Sequence, residues 1–143
     1  MVMFWDTSAI VPMLTVETTS HAIASLLATD PGVIAWWGTP VECVSALARL
    51  ERQALVTREE SAAAFARLEA ASSSWQEIEP GERVRQIAMR LVRTHPLRGA
   101  DAFQLAAAIV AADGEPRSLP FVTLDPRLAL AASREGFPVL EPN

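Results

Sequence analysis

The chain contains no lysine; all 12 of its basic residues are arginine. That absence excludes several phosphate-handling classes together. P-loop nucleotide hydrolases, Schiff-base enzymes, phosphorylated receiver domains and haloacid-dehalogenase-type phosphatases each rely on a lysine. The last class also needs an aspartate two residues after its nucleophile, where Ser8 follows Asp6. Cysteine is nearly missing as well. Cys43 stands alone, so it can build neither an internal disulfide nor a cysteine zinc site, and a small core residue is the expectation. His21 and His95 are too far apart in sequence to form a local metal pair, and both are expected at the surface. No apolar run approaches the roughly 18–20 residues of a membrane span. The opening Met-Val-Met-Phe-Trp-Asp lacks the basic region and apolar stretch of a signal peptide. The expectation is a cytoplasmic protein without a membrane contact.

A net charge of −5 argues against a protein that coats nucleic acid nonspecifically. It leaves a nuclease open, because a carboxylate cluster that takes divalent cations makes the bare chain look acidic. With 143 residues, half of them hydrophobic and a fifth charged, the chain reads as one globular domain spanning 1–143. No repeat, low-complexity tract or linker interrupts it.

Short β-forming runs at Val2–Trp5, Val33–Trp37, Trp75–Ile78, Phe121–Leu124 and Phe137–Leu140 predict five strands. Helices are predicted at Ser8–Leu14 (despite Pro12), Thr19–Leu27, Thr39–Gln53, Arg58–Ser73, Gly81–Thr94, Ala100–Ala112 and Asp125–Arg134. In the third of these, Thr39 is a candidate N-cap, Pro40 the first helical residue and Glu42 its capping-box partner. Strands alternating with helices imply an α/β fold: a mostly parallel five-stranded sheet in a three-layer α/β/α domain.

Ligands bind such sheets outside the carboxyl ends of the strands. Asp6 follows the first strand, Asp125 follows the fourth, Glu42 lies in the helix after the second, and Asp101 opens the alanine-rich helix. Each has a local explanation as a cap or a first-turn acid favoured by the helix dipole. Together they make a different case. Four converging carboxylates repel unless a cation compensates them. A donor set of oxygens alone suits Mg²⁺ or Mn²⁺, which activate water and neutralise a phosphate. The predicted reaction is phosphodiester hydrolysis by in-line attack of water.

Asp-Thr-Ser-Ala at 6–9, Pro-Val-Glu at 40–42, Leu-Arg-Gly-Ala-Asp-Ala-Phe-Gln-Leu-Ala at 97–106 and Phe-Val-Thr-Leu-Asp-Pro-Arg-Leu at 121–128 resemble PIN-domain proteins. The likeness is greatest to VapC-type toxins of toxin–antitoxin systems, and it runs from Asp6 to Gly136. The resemblance implies a PIN-like domain with metal-dependent endoribonuclease activity. It implies that Asp6 and Asp101 ligate the metal directly, and that Glu42 and Asp125 act through water or on a second ion. It also implies that Ser8 and Thr123 support the acids by hydrogen bonding. One or two Mg²⁺ or Mn²⁺ ions, a VapB-like antitoxin, an RNA substrate and a homodimer complete the expectation. A PIN nuclease of RNA processing without an antitoxin, or an inactive binding module, are the alternatives.

Two features stand outside the resemblance. Trp36 and Trp37 are either core or else a stacking platform for an RNA base or a contact for a partner, with core favoured. Arg83, Arg85, Arg90, Arg93 and Arg98 crowd the stretch before Asp101, as a solvated helix face or as an electrostatic guide for RNA. Arg90, Arg93 and Arg98 are the RNA-binding candidates.

Overall fold

The computed structural model describes residues 2–15 and 20–142. Among them, one sheet holds five strands: β1 (Val2–Trp5), β2 (Gly32–Trp36), β3 (Gln76–Ile78), β4 (Phe121–Val122) and β5 (Val139–Leu140). Its order is β3-β2-β1-β4-β5, and every neighbouring pair is parallel. The helices are α1 (Thr7–Thr15), α2 (Ser20–Thr29), α3 (Thr39–Arg52), α4 (Arg58–Ser72), α5 (Glu82–Thr94), α6 (Gly99–Ala112) and α7 (Pro126–Arg134). The expected α/β/α architecture is present. The predicted start of the second helix at Thr19 lies outside the described residues.

Strand alternation splits the interior into two cores. Phe4, Ile34 and Phe121 point to the layer formed by α5, α6 and α7, where Val84, Leu91, Leu105 and Leu128 pack on them. Met3, Trp5 and Val122 point the other way, onto α1–α4 through Ile10, Leu14, Leu47 and Leu68. Small residues let α6 lie close to the sheet: Ala102, Ala106, Ala107 and Ala108 are fully buried. Cys43 is buried, as expected of a core residue, and desolvation pushes its thiol up to about 12.

Three readings are corrected. Thr39 does not cap α3; Gly38 takes that place without a side-chain cap, and the Thr39 hydroxyl is turned inward to accept from Gln104. Gly38 is suited to the spot because a Cβ there would come within 2.6 Å of the Trp36 indole nitrogen. The capping box sits instead at α4, where Thr57 and Glu60 satisfy each other. The two tryptophans divide. Trp36 is buried and stacks on Phe103 at a centroid distance of 5.3 Å, whereas Trp37 is 51% exposed. Finally, His21 is exposed as expected but His95 is not. Its ring is buried because Glu135, just past α7, meets its Nε2 at 2.7 Å while also accepting from Arg90 at 2.9 Å. This pairing ties the end of α5 to the end of α7.

Candidate active site

Asp6 leaves β1 with its backbone still in the sheet: its N–H donates to Val122 O, and its carbonyl accepts from Ala9 to start α1. The side chain therefore emerges at the carboxyl edge of the central strand, almost wholly buried. Three donors converge on Oδ2: the Ser8 hydroxyl at 2.5 Å, the Ser8 N–H at 3.3 Å and the Thr123 hydroxyl at 2.9 Å. Those hydroxyls are themselves held, since Ser8 Oγ accepts from Leu124 N–H and Thr123 Oγ1 from Asp125 N–H. Thus Ser8 and Thr123 staple the loop after β1 to the loop after β4, with Asp6 between them. The same turn explains why β4 stops at Val122 rather than at Leu124.

Glu42 reaches the edge from the first turn of α3. Its Oε1 accepts from the Thr7 hydroxyl at 3.3 Å and its Oε2 from Gln104 Nε2 at 3.1 Å. Gln104 is fully buried and its Nε2 also lies 3.0 Å from both Thr7 Oγ1 and Thr39 Oγ1. Thr7, Thr39 and Gln104 adjoin the candidate site through these bonds, and the motif reading gave them no part in it. A signal was present, because Gln104 is three residues after Asp101 and shares its helix face in an otherwise apolar segment.

Asp101 stands in the first turn of α6, half-buried. Asp125 is the N-cap of α7, its Oδ1 accepting from Arg127 and Leu128 N–H groups. The local capping role thus coexists with a place in the cluster. Asp6, Glu42, Asp101 and Asp125 all line one cavity of about 640 Å³, together with Ser8, Arg49 and the apolar Val11, Pro12, Val41 and Leu124.

The carboxyl groups report their crowding. Burial raises Asp6 to about 6, against the opposing bonds from Ser8 and Thr123. Burial, with the negative charges of Asp6 and Asp101, raises Glu42 to about 7. Asp101 is raised by desolvation and by Asp125. Among the described residues none of these four acids forms an ion pair with an arginine. Carboxylates held in place without an ion-paired cation, with Arg98 and Arg127 offsetting only part of the Asp101 shift, are a donor set fitted to a hard cation. As placed, no three of them among the described residues close on a single point. The fit to Mg²⁺ or Mn²⁺ therefore rests on the chemistry of the donor set, which is oxygen alone.

The arginine candidates scatter. Arg98 neighbours Asp101 and Asp125 in an adjoining cavity, whereas Arg90 is committed to Glu135 and Arg85 to Glu82. Arg83 and Arg93 lie on exposed positions of α5.

Fold and site together define a class: a three-layer α/β/α domain with an all-oxygen acidic cluster at the carboxyl edge of a parallel sheet. The PIN domain family matches residues 3–133, and the chain belongs to that family. PIN domains are generally nucleases and typically use divalent metal ions. FitAcB from Neisseria gonorrhoeae is similar in structure, with a TM-score of 0.67 at 19% identity over 99% of this chain and 98% of that one. PAE2754 from Pyrobaculum aerophilum is similar at 0.63 and 22% identity, over 91% and 84% of the two chains. FitAB bound to an IR36 DNA fragment gives 0.65 at 18% identity, over 98% and 94%. These likenesses establish the fold. No curated protein matches the sequence.

Proposed function

We propose that this PIN domain is a Mg²⁺- or Mn²⁺-dependent endoribonuclease and the toxin of a toxin–antitoxin pair. One observation carries the nuclease reading: Asp6, Glu42 and Asp101 share a cavity, are each raised by burial, and among the described residues have no ion-paired cation to balance them, Arg98 and Arg127 offsetting only part of the Asp101 shift. A bound divalent ion would supply that balance and activate water toward a phosphodiester. Asp6 and Asp101 would hold it directly, with Glu42 and Asp125 acting through water or on a second ion.

The protein's own part is positioning. Ser8 and Thr123 fix the Asp6 carboxylate by its Oδ2. Thr7 and Gln104 fix both oxygens of Glu42. Asp125 is locked by the N–H groups of α7. Such preorganisation keeps the acids from swinging as substrate charge arrives. The toxin role is supported by the shared fold with FitAcB and with FitAB, the latter bound to an IR36 DNA fragment; the VapB-like antitoxin and the homodimer that complete the proposal rest on the sequence resemblance.

Cleavage of labelled RNA by the purified chain tests the reading, in Mg²⁺ or Mn²⁺ with EDTA and Asp101→Asn controls. Cutting that vanishes in both controls is expected. Cutting that survives Asp101→Asn would assign the activity to another site or another protein.

A further inference from the structure

Two cavities meet at the acids. The first, of about 640 Å³, runs along α3; the second, of about 550 Å³, lies between the N-termini of α6 and α7. They share Asp101 and Asp125 as common wall. Each is lined by arginine as well. Arg49 lines the first, on the same α3 face as Glu42, Ser45 and Ala46. Arg98 and Arg127 line the second. All three are exposed, and none forms an ion pair among the described residues.

A polyanion faces a difficulty here. The chain is acidic overall, and the cluster itself repels phosphate. Affinity for a nucleic-acid backbone comes chiefly from basic groups placed along its path. With lysine absent, only arginine can supply them. The arginines of α5 are poorly placed for this. Arg85 and Arg90 are spent on Glu82 and Glu135, and Arg83 and Arg93 line neither cavity. The three unpaired arginines bracket the acids instead.

We propose that Arg49 on one side, and Arg98 with Arg127 on the other, clamp the phosphates flanking the scissile one. A single RNA strand then crosses the acid cluster from α3 to the N-termini of α6 and α7. Val11, Pro12, Val41 and Leu124 give the first cavity an apolar wall for the ribose or base face, and Val41 is 70% exposed beside Glu42. The inference rests on the ribonuclease reading above and adds the path and polarity-bearing contacts of the substrate.

The test is the salt dependence of binding between short labelled single-stranded RNA and the native chain, with Ca²⁺ replacing Mg²⁺. Each lost phosphate contact lowers the slope of log K against log salt by about 0.7 for a single strand. Arg49→Gln, Arg98→Gln and Arg127→Gln are each expected to show that drop and a uniform weakening across RNA sequences. Arg83→Gln and Arg93→Gln are expected to leave both unchanged. Because all five positions are on the surface, thermal melting should be unaltered and serves as the folding control. The clamp is overturned if Arg83→Gln and Arg93→Gln lower the slope while Arg49→Gln and Arg127→Gln do not. A native chain that holds no RNA would sink the ribonuclease reading itself, and the clamp with it.

Discussion

The acid cluster has two halves built on opposite principles. Asp6 and Glu42 are buried or half-buried, and every hydrogen bond they receive comes from a side-chain hydroxyl or amide or from the adjacent Ser8 N–H. Asp101 and Asp125 sit in the first turn and at the cap of two helices, closer to solvent and to Arg98 and Arg127. The first half is held rigidly at the expense of desolvation. The second is held by helix ends and keeps access to substrate. Rigidity and access are thereby divided between different residues, so they can be broken separately.

The largest effect should come from removing the charges themselves. Asp6→Asn and Asp101→Asn are each expected to lower cleavage by more than about 100-fold, exceeding the 10–100-fold typical of a supporting partner. Their melting temperatures should separate them. Asp6→Asn keeps acceptor oxygen for Ser8 and Thr123 while removing a buried charge, so the metal-free variant should melt higher than the native chain near neutral pH. Asp101→Asn should change melting much less. Equal shifts would dissolve the distinction between the two halves.

Gln104→Leu comes next. It removes the amide that positions Glu42 but leaves every acid in place, so a 10–100-fold loss of Mn²⁺ affinity by calorimetry is expected. An unchanged affinity would make Gln104 a structural residue only.

A pH series sharpens the contrast further. Asp6 is raised from 3.8 to about 6 in the folded chain, and Glu42 from 4.5 to about 7. Between those limits the folded state binds more protons than the unfolded one, so stability falls as pH rises through the window. The metal-free protein should therefore be more stable at about pH 5 than at about pH 8, with Asp6 contributing on the order of 1–2 kcal/mol over that interval. Asp6→Asn should flatten the dependence, and Mn²⁺ should offset it at the upper end. A metal-free stability that rises steadily over this range would contradict the burial argument.

The smallest functional effect is expected away from the cluster. Glu135→Gln weakens the bonds to Arg90 and His95 and should cost about 1–2 kcal/mol in denaturant unfolding, with cleavage unchanged. A marked loss of cleavage would show that the α5–α7 tie also shapes the site.

The five strands, and six of the seven helices to within two residues, were legible because hydrophobic period and turn residues are local signals. For the remaining helix, the predicted Thr19–Leu27 against α2 at Ser20–Thr29, the end was two residues short and the predicted start lies outside the described residues. The four acids were legible for a related reason: each stands at a strand end or helix start, where the sequence announces itself. Thr39 was misread because a threonine before a proline looks like a cap, while its partner Gln104 lies 65 positions away. His95 was misplaced for the same reason, its Glu135 partner being 40 positions distant. The arginines before Asp101 looked like one group in sequence, but helical geometry and two ion pairs dispersed them.

By itself, then, the sequence determined the order of elements, the parallel α/β architecture, and which acids can reach the sheet's carboxyl edge. Spacing and propensity act along the chain, so they can be read along it. Only the tertiary structure decided which hydroxyl or amide steadies each acid, which arginines are consumed in ion pairs, and which remain beside the cluster. Those outcomes depend on side chains from distant segments competing for the same few ångströms, and on the desolvation that results, neither of which is encoded in any single stretch of residues.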